Sequence, residues 1–305
     1  MLAKSFILFA ALASAVIAAP QRPVPGKTSC RSTTTAKAST SSVKPTSTPV
    51  TIKSTSSVSP TSTKAAVVET RTLPNTGAGT QLPAPAAGSV LKMIALGHGL
   101  QNYSCATASG NASATGALAV LYDITQYYPG TPRTGLPANI FNDLSKLLLF
   151  GQDLPLNLVN PAAAKPGTPT KPNTLPEKQY VAVTSAPFKA PADIKFGPIT
   201  AAKEIGRHYF ASPNSVPTFD LSAKTGLVAR VQKVDAVTAP ASAEKGITKS
   251  GAVAWLRLPD NGASVGVTEV YRVVTAGGVA STCDIIGQGE GSVPYTAQYW
   301  FFGKA

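Results

Sequence analysis

Histidine and cysteine are scarce in this chain of 305 residues, which contains two histidines and three cysteines. A zinc site made of clustered histidines, or an H-E-x-x-H motif, is excluded because only His98 and His208 are present. A small fold stapled by several disulfides is excluded by the chain length and by the cysteine count. We therefore predict that the protein uses neither a metal ion nor a cofactor.

Charge is also sparse, at 13% of residues, but it is unbalanced and gives a formal net charge of +13. A strongly basic chain suggests binding to nucleic acid or to another acidic polymer. Residues 20–72 carry +7 of this charge, whereas residues 73–305 carry only +5 and Lys4 supplies the rest. Because more than half of the excess lies in a short N-terminal stretch, we predict that the protein does not bind nucleic acid.

A hydrophobic run long enough to cross a membrane is absent from the sequence. The run Phe6–Ala18 has 13 residues, whereas a membrane-spanning helix needs about 20. It follows Lys4 and ends in small residues, as a secretory signal peptide does. We predict a signal peptide at residues 1–18, no transmembrane segment, and a secreted protein that is extracellular or located in a cell wall. A membrane anchor is the alternative interpretation of the same run.

Residues 19–88 lack the apolar side chains that a folded core requires. Between residues 28 and 63, 22 of 36 residues are Ser or Thr. Such a stretch buries too little apolar surface to offset the loss of backbone entropy. We predict a disordered, basic stalk that serves as a spacer and carries O-linked glycans, since Ser/Thr-rich segments with proline are typical of such stalks. Alternatively, its lysines attract acidic wall polymers.

Residues 89–305 have the pattern of an all-β domain. Short runs of β-branched and aromatic residues are separated by Gly, Pro, Asn or Asp, and Tyr295, Ala297, Tyr299 and Phe301 alternate with residues of the opposite face. The predicted strands are Val90–Leu96, Leu100–Cys105, Ala117–Ile124, Arg207–Phe210, Thr218–Leu221, Leu227–Val237, Ala252–Leu258, Val267–Thr275 and Val293–Phe302. We expect a single antiparallel β-sandwich or barrel-like domain.

One helix is predicted in this domain. Asn139 has the character of an N-terminal cap for Ile140–Phe150, and Gly151 follows as the stop. The helix and the proline residues that follow it make up an insertion at about residues 126–178, which we place on the surface of the β domain.

Cysteines and glycosylation motifs agree with export. Cys105 and Cys283 both lie in the folded domain and are the natural pair in an oxidising compartment. Cys30 is the odd one out, and it is free, capped or bonded to another chain. Asn102 and Asn111 each begin an N-x-S motif for N-glycosylation.

Motifs for catalysis are weak. The sequence from Gly97 to Asn102 imitates the glycine-rich turn of a dinucleotide site, but no helix follows and the last glycine is missing. A hydrolase could use His208 as a base with Asp220 or Glu269, although a core position is the more common role for such a histidine. Trp255 and Tyr271 could, together with His208, line a ligand site, while aromatic residues on strands more often belong to the core.

Several segments in order along residues 90–303 resemble a family of secreted proteins, known from fungi and bacteria, that is defined only as a domain of unknown function. They are GLQNYSC (99–105), GALAVLYD (116–123), GRHYF (206–210), PTFDL (217–221), GAVAWLRL (251–258), EVYRVVTAGG (269–278), Cys283 and PYTAQYWFF (294–302). The resemblance implies an extracellular β domain and supports the Cys105–Cys283 pair, but it implies no activity. Some fungal members carry the name malate dehydrogenase. We do not adopt it, because this chain lacks the nucleotide-binding fold and the Arg/His/Asp set of that chemistry.

Three functions remain open from the sequence. The leading hypothesis is a non-catalytic protein that is secreted or bound to the cell wall and binds a cell-wall polysaccharide or a host surface. The second is a secreted hydrolase that uses His208 with a carboxylate, and the third is an effector or elicitor that is released during contact with a host.

Overall fold

The computed structural model of the protein describes residues 71–76, 79–196 and 201–305. In this part of the chain the strands are β1 Ser89–Cys105, β2 Ser113–Asp123, β3 Glu204–Ala211, β4 Val216–Leu221, β5 Leu227–Arg230, β6 Asp235–Val237, β7 Trp255–Pro259, β8 Glu269–Gly277 and β9 Gly289–Lys304. The helices are α1 Ala138–Gly151, α2 Ser222–Thr225 and α3 Cys283–Ile286, with 3-10 turns at Thr125–Tyr127, Pro161–Ala164 and Glu177–Gln179. The predicted all-β class is confirmed.

The strands form one antiparallel sheet whose two ends meet. Its order is β5-β4-β3-β2-β1-β9-β8-β7-β6. Strands β5 and β6 are two parts of one chain segment, and the bridges Val228–Val265 and Val231–Asp260 continue the β6–β7 ladder up to β5. Because β5 also pairs with β4, the sheet closes on itself and encloses an interior, as in a barrel. This is the barrel-like alternative of the sequence prediction.

Alternate side chains of strand β9 point to opposite faces of the sheet and so belong to two different apolar clusters. Tyr299 and Phe301 belong to the apolar cluster inside the barrel, while Trp300 and Phe302 belong to a cluster on its outer surface. The strand is therefore covered on both sides, which explains why its end is apolar on both faces.

Helix α1 covers the outer face of the sheet. Phe141, Leu144 and Leu148 pack in the outer cluster, and the polar outward residues of β9 bond to the helix backbone. Thr296 Oγ1 donates to the Ser145 carbonyl at 2.6 Å, and Gln298 Nε2 donates to the Phe141 carbonyl at 3.0 Å. These bonds satisfy polar groups that would otherwise be buried without partners.

The start of α1 differs from the prediction. The Phe141 amide donates to the Pro137 carbonyl at 2.9 Å, so the first turn begins before Asn139 and Pro137 occupies the cap position. The predicted cap at Asn139 is therefore wrong, because the proline backbone already has the extended conformation that precedes a helix.

The long connection between β2 and β3 lies over the outside of β1. It includes the predicted insertion at 126–178 and is described at 124–196 and 201–203. Leu154, Leu156 and Tyr180 from this connection form an apolar cluster with Leu100 of β1. The connection is therefore packed against the barrel.

Residues 71–76 and 79–88, which we call the strap, lie on the outer surface of the barrel. Leu73 and Leu82 pack against the outer cluster, and the Ala86 amide donates to Glu269 Oε1 at 2.7 Å. The strap is the end of the stretch predicted as stalk, and the rest of that stretch and the predicted signal peptide lie outside the described residues.

A disulfide bond joins Cys105 at the end of β1 to Cys283 at the start of α3, with the two Cα atoms 5.7 Å apart. This confirms the predicted pair, whereas Cys30 lies outside the described residues. None of the described helices has the length and the apolar character that crossing a membrane requires.

Candidate functional site

His208 lies inside the barrel on β3. Its ring stacks on that of Phe219 with the centroids 4.1 Å apart and the planes 9° from parallel. Nδ1 lies 2.9 Å from the Thr218 carbonyl oxygen, so the neutral ring carries its proton on Nδ1. Burial lowers the pKa of His208 to about 4. The side chain is therefore a neutral part of the core, packed between aromatic rings.

The two carboxylates considered with His208 lie elsewhere. Asp220 bonds to the amide and the hydroxyl of Ser222, at 3.1 Å and 2.6 Å. Glu269 is buried on the outer surface, where it binds Ala86 of the strap and Arg257. The structure does not bring either carboxylate into contact with His208, so the hydrolase hypothesis gains no support from the geometry.

A polar network that includes Arg272 occupies the interior of the barrel. Its Nη1 donates to Gln101 Oε1 at 3.2 Å and its Nε to the Ala254 carbonyl at 3.1 Å. The hydroxyl groups of Tyr295 and Tyr299 lie 2.9 Å apart, and burial raises the pKa of both. No carboxylate of the described chain lies within ion-pair distance of Arg272.

This network was not predicted from the sequence, although one signal for it was present. Arg272 has the same parity on β8 as Val270, which belongs to the interior cluster, so the period of two places its charge inside the barrel. A charged residue in the inward position of a buried strand indicates a polar network, because an isolated buried charge is costly.

An open cleft of about 380 Å³ lies on the outer surface of the barrel. The strap, α1, the loop between β6 and β7, and strands β7 and β8 surround it. Its lining consists of Pro74, Asn75, Thr76, Asn142, Asp143, Ser145, Lys146, Pro240, Ser242, Ala243, Glu244, Trp255, Val274, Thr275 and Ala276.

Trp255 is the aromatic residue of the cleft and one of the two tryptophans of the chain. Its Nε1 is buried and makes no hydrogen bond. By contrast, Nε1 of Trp300 donates to Gln298 Oε1 at 3.1 Å. An indole N–H can only donate. A ligand oxygen in the cleft could therefore provide the hydrogen-bond acceptor that Trp255 Nε1 lacks.

The other polar groups of the cleft provide both donors and acceptors. Asp143 and Lys146 are exposed on α1. Glu244 is held by Lys249, with Nζ 3.2 Å from Oε1, and accepts the Gly246 amide at 3.1 Å. Such a mixture around an aromatic side chain suits a polar, largely uncharged ligand.

Tyr271 is separated from solvent by the strap. The residue is fully buried on the outer face of β8, and its hydroxyl lies 3.0 Å from the Pro83 carbonyl oxygen and 3.2 Å from Glu269 Oε2. The structure therefore places Trp255 in the cleft, Tyr271 beneath the strap, and His208 inside the barrel.

The two glycosylation motifs differ in their surroundings. Asn111 is exposed in the connection between β1 and β2. Asn102 is half-buried on β1, and its side-chain oxygen accepts a hydrogen bond from Ser292 Oγ at 2.9 Å.

The chain belongs to a protein family of unknown function, DUF3455, whose family model matches residues 85–303. Neither a curated protein nor a solved structure matches the chain. The matched region contains the barrel and the end of the strap, but it begins after the strap residues that line the cleft.

Proposed function

We propose that this protein is a non-catalytic binding protein that acts outside the cell, at a cell wall or another surface, and that the outer cleft binds a glycan. The observation that carries the proposal is Trp255, an aromatic residue that lines the cleft and whose buried N–H donor has no hydrogen-bond partner. The signal peptide and the Ser/Thr-rich stalk predicted from the sequence support the location.

A glycan fits the chemistry of this cleft. A sugar ring presents hydroxyl or amide oxygens that accept hydrogen bonds. A buried donor without a partner costs about 1–3 kcal/mol, and a ligand oxygen at Trp255 Nε1 would recover part of that cost. Asn142, Lys146 and Glu244 could then bond to other hydroxyl groups of the ligand.

Binding to insoluble chitin, β-glucan and mannan tests the proposal with wild-type protein and the Trp255→Phe variant. We expect the wild type to bind at least one polymer. Trp255→Phe should weaken that binding about fivefold, since a hydrogen bond contributes about 1 kcal/mol. Trp300→Phe is the matched control, because Trp300 does not line the cleft and its N–H is already bonded.

The melting temperature of each variant separates a loss of binding from a loss of folding. Absence of wild-type binding to all three polymers would refute the proposed function. Equal binding by the wild type and the folded Trp255→Phe variant would remove Trp255 from the site.

We also propose that Asn111 carries an N-linked glycan and that Asn102 does not. Asn111 is exposed, whereas the Asn102 side chain bonds to Ser292 within the sheet. In protein secreted from a eukaryotic host, Asn111→Gln should remove the mass of one glycan, and Asn102→Gln should leave the mass of the glycans unchanged. Intact mass before and after N-glycosidase treatment measures both, and the opposite pattern would contradict the assignment.

A further inference from the structure

One wall of the cleft comes from outside the region that defines the family. Pro74, Asn75 and Thr76 of the strap line the cleft, whereas the family model begins at residue 85. The other walls, from α1, the loop before β7, and strands β7 and β8, lie within the matched region. The cleft is thus formed partly by the matched region and partly by a segment that the family model does not include.

The strap has a firm anchor on the side nearer to β1. Glu269, whose side chain is 2% exposed, accepts the Ala86 amide at 2.7 Å. Arg257 Nε holds the same carboxylate at 3.0 Å, and Tyr271 contacts the Pro83 carbonyl. Hydrogen bonds to a buried carboxylate are stronger than those between neutral groups, so this end of the strap is fixed on the barrel.

The other end of the strap is held by weaker contacts. The Thr72 amide donates to the Tyr128 hydroxyl at 3.2 Å in an exposed bond, and the Arg71 guanidinium lies 5.7 Å from the centre of the Tyr128 ring. Leu73 is only partly buried against the outer cluster, which contains Trp255. Exposed contacts of this kind contribute little stability.

A link across the strap holds the wall residues in place. The Thr76 amide donates to Gln81 Oε1 at 2.9 Å, and Gln81 Nε2 bonds back to Thr76 Oγ1. Thr76, which lines the cleft, is therefore bonded to Gln81 within the strap.

We propose that residues 71–76 form a ligand-binding wall of the glycan cleft, which covers Trp255 and supplies contacts to the ligand that the barrel alone does not. The proposal rests on the proposed function for its ligand, but the cover over Trp255 can be measured without one. Release of this segment should expose Trp255 and weaken binding.

The test is a full-length chain with a protease recognition sequence inserted after Gly79. This position is exposed, so a protease can reach the inserted sequence. Cleavage and size-exclusion chromatography then remove residues 1–79. The matched control carries the same sequence between residues 64 and 65, where cleavage leaves the wall attached.

The first measurement is quenching of tryptophan fluorescence by acrylamide in a Trp300→Phe background, in which Trp255 is the only tryptophan. We expect the quenching constant to rise at least twofold after cleavage at Gly79 and to stay unchanged in the control. Unchanged quenching after confirmed removal of residues 1–79 would overturn the proposal, whatever the protein binds.

The second measurement is binding to the polymer that retains the uncleaved protein. Cleavage at Gly79 should weaken it about tenfold, and a variant with Pro74→Ser, Asn75→Ala and Thr76→Ala should weaken it in the intact chain. Equal or tighter binding after cleavage would overturn the role of the wall in ligand binding. If no polymer binds before or after cleavage, the proposed function itself fails, and the quenching result then shows separately whether the wall covers Trp255.

Discussion

At the scale of single residues, Gly97 shows how one motif admits two physical explanations. In the sequence, Gly97 and Gly99 imitate the first glycines of a dinucleotide-binding turn. In the structure both lie within β1, and a Cβ at Gly97 would lie 2.6 Å from Cε2 of Tyr299. Glycine is required there because the tyrosine ring occupies the space that a side chain would fill.

We therefore expect Gly97→Ala to lower the free energy of unfolding by about 1–3 kcal/mol, the usual cost of forcing extra atoms into a packed core. Gly151→Ala is the control, because Gly151 ends a helix and a Cβ there meets nothing within 4 Å. Alanine at that position should be neutral or stabilise by up to about 1 kcal/mol. Urea unfolding measures both variants, and equal midpoints would contradict the packing of Tyr299 against Gly97.

At the scale of secondary structure, the strands with a clear period of two were predicted and the strap was not. The two faces of β9 are identified by the alternation of Tyr295, Ala297 and Tyr299 with the polar residues Thr296 and Gln298. The strap has no periodicity, and its attachment depends on single side chains such as Leu82 and on backbone groups bonded to Glu269. The closure of the sheet could not be predicted from the sequence either, since it depends on the register between residues 228–237 and 255–265.

At the scale of the whole molecule, the sequence identified Trp255 but not the cleft that it lines. The cleft is assembled from the strap, α1, one loop and two strands, and only the tertiary fold brings these segments together. The same is true of His208, which its neighbours Tyr209 and Phe210 indicate to be in a core, although only the structure shows that its stacking partner is Phe219. Aromatic residues reveal burial from the sequence, whereas the contacts between distant segments require the fold.

The two histidines of the chain should make the stability of the whole domain depend on pH. Both are buried, and desolvation lowers the pKa of His98 to about 3 and that of His208 to about 4. An exposed imidazole in the unfolded chain takes up its proton near pH 6.5. Between pH 6.5 and about 4 the unfolded state therefore binds more protons than the folded state, and the free energy of unfolding falls as the pH falls.

The expected slope is about 1.4 kcal/mol per pH unit for each histidine. Urea unfolding at pH 7, 6, 5 and 4.5 measures it. His98→Leu and His208→Leu should each reduce the slope by about half, since each removes one of the two groups. The pKa values of Asp193 and Asp260 lie below the usual carboxyl value. Protonation of these two side chains therefore changes the stability mainly below about pH 4 and adds little to the slope between pH 6.5 and 4.5. A wild-type stability that stays constant over this range would mean that the folded protein accepts protons on both histidines, and that neither ring is enclosed as the structure shows.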